Sequence, residues 1–284
     1  MNEEYTMTRN REWESLTLAN DFMFYKVMQD KELLLELIRR ILPEIEIVEI
    51  EVQAQDVVEI GPDIRGVRFD LFVRDQIGRA ITIEMQVLNI KTLPRRLRYY
   101  SAIGDMQLLE KGMLYSKLPD SYVIMICMFD YYNQSRHRYT FSCRCNELPA
   151  LRMNDGVTYI ILNAFGTADD VDDGLRAFLD YIAGKPSEDP YIRKLDDAVV
   201  KARMNKEWRA AYMELYQRDL ENREIGVQIG REEGREEGRE EGREEGRELL
   251  AGAIHELRLG RSKEDLLKSG YDEHTIDLAL TCLE

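Results

Sequence analysis

Residues 64–88 read IRGVRFDLFVRDQIGRAITIEMQVL. Val67, Phe69, Leu71 and Val73 alternate with Arg68, Asp70, Phe72 and Arg74. Further on, Ile81, Ile83, Met85 and Val87 alternate with Ala80, Thr82, Glu84 and Gln86. A period of two is the pattern of a half-buried strand. Asp75-Gln76-Ile77-Gly78 is the turn between them, with Gly78 free to take positive φ. A turn centred on Ile77 makes Asp70 face Glu84, with Cβ atoms about 4.5–5.5 Å apart. Gln86 follows on the same face. Two facing carboxylates repel and weaken the sheet unless something offsets them. A divalent cation would do so: carboxylate oxygens suit Mg²⁺, which takes one or two of them and keeps water and substrate phosphate as its other ligands. A cation held this way polarises a phosphodiester. Gln86 is placed to orient a water, but it brings no positive charge. The other reading is a solvated face on which Arg68 and Arg74 neutralise the acids.

Upstream, DFMFYKVMQDKELLLELIRRILPE repeats its apolar residues at helical spacing from an Asn20 or Asp21 cap, and Pro43 stops it. A β-rich stretch over 45–55 ends in the turn Gly61-Pro62-Asp63. Downstream, the spacing predicts a helix over 92–111, with Pro94 in its first turn and Gly112 after its end. SYVIMICMF, at 121–129, is a continuous apolar run suited to a strand buried on both faces. Two more β-like segments lie at 136–143 and 157–163. Residues 20–129 therefore read helix, three strands, helix, strand, an α/β class with a mixed central sheet.

The chain has 284 residues and a net charge of −15, which on its face opposes a nucleic-acid partner. The distribution says otherwise. Residues 51–150 hold 13 Lys+Arg and 12 Asp+Glu, a balance of +1, so the rest carries −16. Within it, Lys91, Arg95, Arg96 and Arg98 form a basic run without an acid. Phosphate contacts act within a Debye length of about 8–10 Å, so the local charge governs them. The polar, acidic start is no secretory leader, and no apolar run is long enough to cross a membrane. Cys127, Cys143, Cys145 and Cys282 form no CxxC pair and no disulfide framework, which points to a reducing cytoplasm. His137, His255 and His274 are too scattered for a histidine metal site, and there is no phosphate-binding glycine loop.

Beyond Ala168 the composition turns acidic and helical, and a REEG repeat runs from Arg231 to Gly246. Its i,i+3 Glu–Arg pairs help a helix slightly, while each Gly costs about 1 kcal/mol relative to Ala. The repeat reads as a solvated helix or spacer, with close approach of a partner helix as the other reading. Short helices follow, broken at Gly260 and Gly270, and Ser262-x-x-Asp265 has the form of a capping box. The expected segments are an N-terminal arm (1–16), the α/β domain (17–168), a helical region (169–225), the repeat (226–248) and a small helical element (249–284). The helical end is a candidate for homo-oligomer formation.

This arrangement resembles the PD-(D/E)xK nuclease superfamily, and within it the Rpn group of recombination-promoting nucleases, also described as PD-(D/E)xK nuclease family transposases. The likeness is carried by Asn20-Asp21-Phe22-x-Phe24, Gly66-Val67-Arg68-Phe69-Asp70, Asp75-x-x-Gly78, Ile83-Glu84-Met85-Gln86, Arg95 to Tyr100, Gly112-x-x-Tyr115 and the C-terminal Glu/Gly/Arg repeats. It covers residues 17–165 well and the tail loosely. It implies a restriction-endonuclease-like αβββαβ core followed by an all-helical C-terminal extension. It also implies a Mg²⁺-dependent DNA endonuclease, with Ca²⁺ or Mn²⁺ as other candidate ions. Asp70 and Glu84 would be the metal ligands, and Gln86 would stand where the superfamily has lysine. Asp63, in the literal Pro62-Asp63, is the weaker candidate for the first acid, because it precedes the strand. Glu36 matches the first-helix acid of some members, although a routine surface ion pair with Arg39 or Arg40 is the more ordinary explanation. Lys91, Arg95, Arg96 and Arg98 would touch DNA phosphates. Two rivals stand beside this reading: a catalytically silent DNA-binding or oligomeric scaffold, and a transposase performing strand transfer.

Overall fold

The computed structural model describes residues 12–52, 70–109 and 111–283. The chain divides into two compact units, Met1–Met213 and Glu214–Glu284.

The apolar periodicity that starts at Asn20 folds as two helices, α1 (Asp21–Val27) and α2 (Lys31–Ile41), where the spacing suggested one. Asn20 caps the first, its Oδ1 accepting from Met23 N at 3.1 Å. Asp30 caps the second, its Oδ1 accepting from Glu32 N and Leu33 N at 3.0 and 3.2 Å. A side chain that takes those two N–H groups competes with a helix running through it, so the chain breaks at Met28–Asp30. Asp30→Ala is expected to lower stability by about 1 kcal/mol, seen as a lower urea midpoint. An unchanged midpoint would mean that packing alone sets the break.

There follow β1 (Ile50–Val52), β2 (Leu71–Asp75), β3 (Ala80–Gln86), α3 (Leu93–Leu108), β4 (Ser121–Cys127), β5 (Arg138–Phe141) and β6 (Val157–Asn163). The strands form one sheet in the order β1-β2-β3-β4-β6-β5. β3, β4 and β6 run parallel, while the pairs β1–β2, β2–β3 and β5–β6 are antiparallel. This is the mixed sheet of the expected class. β2 and β3 pair from Leu71↔Ile83 to Arg74↔Ala80, the register of a turn centred on Ile77. Val67 to Phe69, the turn Gly61-Pro62-Asp63 and the β-rich stretch beyond Val52 lie outside the described residues.

The alternation in β3 separates two cores, not core from water. Every residue of β3 is buried. Leu71, Val73, Ile81, Ile83 and Met85 face a core built with α1 and α2, and with α4 (Asp173–Ile182) and α5 (Pro190–Met204). Phe72, Ala80, Val123 and Met125 face a second core under Leu93, Leu97, Tyr100 and Ile103 of α3. A central strand with helices on both faces has no solvated side. The helical region after Ala168 is accordingly part of the domain. Leu175, Phe178, Leu179 and Ile182 form one stripe of α4 and are buried in the first core. The last residues of the expected N-terminal arm are also tied down. Trp13 is fully buried and its Nε1 donates to Arg203 O at 2.8 Å.

In the second unit the REEG repeat is helical and exposed, within α6 (Lys206–Arg258). α7 (Lys263–Lys268) starts at a complete Ser262–Asp265 capping box, and α8 (Glu273–Thr281) follows. Ala253, Leu266, Ile276 and Ala279 make its small core. Leu267, Leu278, Leu280 and Leu283 are exposed. Among the described residues no helix is long and apolar enough to cross a membrane.

Candidate active site

Asp70 stands immediately before β2, one step beyond the end pair of the hairpin ladder, Leu71↔Ile83. At that step side chains replace the backbone ladder. Asp70 N donates to Glu84 Oε1 at 2.8 Å, and Met85 N donates to Asp70 Oδ2 at 3.0 Å. The two bonds close Asp70 and Glu84 against each other, as the hairpin parity anticipated. Gln86 comes two residues later on the same face, beside Cys127 of β4.

Glu84 is 1% exposed. Burial first, and the neighbouring Asp70 carboxylate second, push its pKa well above the ordinary carboxylate range. The Asp70 N–H, Arg96 and Tyr100 pull the other way and do not offset this. The ion pair to Glu84 comes from α3: Arg96 Nη2 lies 3.4 Å from Glu84 Oε2. Arg96 Nη1 donates to Gln86 Oε1 at 2.5 Å, and Arg96 Nε and Nη2 donate to the Tyr100 hydroxyl at 3.0 and 2.7 Å. Gln86 Nε2 donates to Leu88 O at 2.7 Å. Burial and the charge on Glu84 push Tyr100 up to about 12, so it stays a neutral phenol. Burial likewise pushes the Cys127 thiol up to about 12, which removes it as a nucleophile.

The structure therefore brings together Asp70, Glu84 and Gln86, and adds Arg96 and Tyr100. Lys91, Arg95 and Arg98 are exposed around the first turns of α3, whereas Arg96, expected with them on the phosphate-facing surface, turns toward the carboxylates. Spacing held the signal for this: Arg96 is three residues after Leu93 and four before Tyr100, both buried. Glu36 is elsewhere. It pairs with Arg40 at 2.9 Å, and Arg40 in turn meets Asp189 at 3.0 Å. α2 packs on the core of the other sheet face. Asp63 and Arg68 lie outside the described residues.

Among the described residues no three His, Cys, Asp or Glu side chains stand together as a metal cluster. The donor set is two carboxylates and one amide. This fits an oxygen-seeking ion such as Mg²⁺, which needs few protein ligands and draws the others from water and phosphate. A buried carboxylate held against a second one needs a proton or a cation as partner, and the pair has the chemistry to accept either.

Compared with known protein families, residues 18–170 match the model of one described as PD-(D/E)XK nuclease family transposase. No curated protein and no solved structure matches the chain.

Proposed function

The chain belongs to the PD-(D/E)XK nuclease family transposases, and from that membership we propose that it is a divalent-cation-dependent DNA endonuclease of the recombination-promoting type. The supporting observation is the reciprocal closure of Asp70 on Glu84, with Glu84 buried and its pKa raised. Asp70 and Glu84 hold the cation, Mg²⁺ in this reading. Bound there, it supplies Lewis-acid polarisation of a phosphodiester. The chain's own part is to fix the geometry. The hairpin register sets the separation of the two carboxylates, and Gln86 is oriented by bonds at both ends of its amide. Glu84 and Gln86 are buried beneath α3, which strengthens the electrostatics at those two side chains.

The test is nicking of supercoiled plasmid by the purified chain with Mg²⁺ or Mn²⁺ against EDTA. Relaxed or linear product should form with the cation alone. Its absence under every cation would overturn the reading in favour of a silent DNA-binding scaffold.

Lys91, Arg95 and Arg98 are assigned to DNA phosphates. Changing all three to Gln is expected to weaken plasmid binding about tenfold in Ca²⁺ near 0.1 M salt, and to lower the slope of log affinity against log salt by about 2–3. A slope unchanged within error would remove these residues from the DNA path.

A further inference from the structure

A site made of two carboxylates and an amide holds a cation but offers nothing positive of its own to a substrate phosphate. Among the described residues, the positive group in contact with Glu84 and Gln86 is Arg96. Its guanidinium reaches Gln86 Oε1 at 2.5 Å and Glu84 Oε2 at 3.4 Å. It rests over the Tyr100 ring at 5.0 Å and donates twice to the Tyr100 hydroxyl. These contacts fix it from one side, while the side chain remains 33% exposed on the other. A guanidinium has five N–H donors in a rigid fork. Nε, Nη2 and one Nη1 hydrogen meet the bonds above, which leaves the second Nη1 hydrogen for an incoming oxygen. Gln86 has its oxygen on Arg96 and its nitrogen on Leu88 O, so its amide cannot flip.

We propose that Arg96 is the catalytic cation of this site, binding the scissile phosphate through its guanidinium, and that Gln86 and Tyr100 are its positioning residues. This rests on the nuclease reading above and deepens it. Gln86 then acts by aiming Arg96 instead of orienting a water.

Moving the charge tests it. Because Gln86 Oε1 touches Arg96 Nη1, Gln86→Lys sets an ammonium beside the guanidinium, and Gln86→Lys with Arg96→Gln leaves one positive charge at the same place. Ca²⁺ binding by calorimetry reads the charge without any cleavage, and Mg²⁺-dependent nicking reads the catalysis. Arg96→Gln should tighten Ca²⁺ about tenfold, because a like charge has left the site. It should lower kcat about 100-fold, as loss of one preorganised donor does. Gln86→Lys alone should weaken Ca²⁺ about tenfold and lower kcat, because Arg96 loses the oxygen that aims it. The double variant should return Ca²⁺ affinity to within about threefold of wild type and recover at least about tenfold in kcat over Arg96→Gln. Arg96→Lys, the milder change, should keep the Ca²⁺ affinity and lose part of kcat. Unchanged Ca²⁺ affinity in Arg96→Gln, or a double variant that matches Arg96→Gln in both Ca²⁺ affinity and kcat, would overturn the proposal. A wild type that binds Ca²⁺ but cuts nothing sinks the nuclease reading itself. The Ca²⁺ series then decides alone whether Arg96 is the cation of the site.

Discussion

Glu84→Gln is expected to lower cation-dependent nicking by about 1,000-fold or more, because an amide cannot share in holding a divalent cation as a carboxylate does. The same change should make the cation-free protein more stable at alkaline pH. Glu84 is 1% exposed, and its pKa in the folded chain lies well above that in the unfolded one, through burial first and Asp70 second. Below the ordinary carboxylate pKa both states carry the proton, and Glu84 costs the fold nothing. As pH rises the unfolded chain ionises first, so stability is lost progressively until the raised folded value is passed. The amide does not titrate, yet it can still accept from Asp70 N as Glu84 Oε1 does. Wild type and variant should therefore melt together near pH 4 in EDTA. Near pH 8 the variant should be the more stable by at least about 1 kcal/mol, since each tenfold change in proton affinity is worth about 1.4 kcal/mol.

Added Ca²⁺ should raise the melting point of wild type far more than that of the variant, because a ligand stabilises the state that binds it. Asp70→Ala should match the loss of nicking. Full nicking in Glu84→Gln would remove the site assignment. Equal melting at pH 8 would show that Glu84 already has an adequate counter-charge in Arg96.

How much of this was legible in the sequence depends on how far each interaction reaches along the chain. The hairpin was legible because its information is local. A short turn fixes the register, and a period of two fixes the face. Together they put Asp70 opposite Glu84. What covers that face was not legible. Thr82, Glu84 and Gln86 look like a solvated edge when only their polarity is read, and their burial is decided by α3, whose docking is tertiary. The role of Arg96 was hidden for the same reason. In sequence it is one of four neighbouring cations, and the turn toward Glu84 exists only once Leu93, Leu97 and Tyr100 are seated on the sheet. The break at Asp30 was written locally but masked, because the apolar spacing continues through it from Val27 to Leu34. The shift to acidic composition after Ala168 looked like a boundary. The apolar stripe from Leu175 to Ile182 was the better guide, since a sheet with two apolar faces needs helices on both.

Asp75→Ala is expected to lower stability by about 3–5 kcal/mol and, with it, cleavage per folded molecule. The side chain of Asp75 is fully buried and holds the turn together. Its Oδ1 accepts from Ile77 N at 3.1 Å and Arg79 N at 2.9 Å, and its Oδ2 pairs with the Arg79 guanidinium. Arg79 continues to Glu46 O at 2.8 Å, and Gln76 bonds Glu46 O and Val48 N at 3.0 and 3.2 Å. Gly78 closes the turn at φ +90°, where a side chain would be strained. Alanine at position 75 removes two acceptors and leaves a largely buried guanidinium unpaired, which is the costly way to break an ion pair. A domain with about 5–15 kcal/mol in hand survives this as a folded but weakened molecule. The urea midpoint should fall with its slope unchanged. Asp75→Asn keeps an oxygen for Ile77 N and Arg79 N, so it should lose clearly less. The effect on cleavage follows from geometry, since a slip of one residue turns every side chain of a strand to the other face. Even a minor population in another register separates Asp70 from Glu84. Activity corrected for the folded fraction should therefore drop as well, and Ca²⁺ affinity with it. A wild-type midpoint in Asp75→Ala would show that β1 and the paired strands hold the register without the turn, and that the carboxylates are set by the sheet alone.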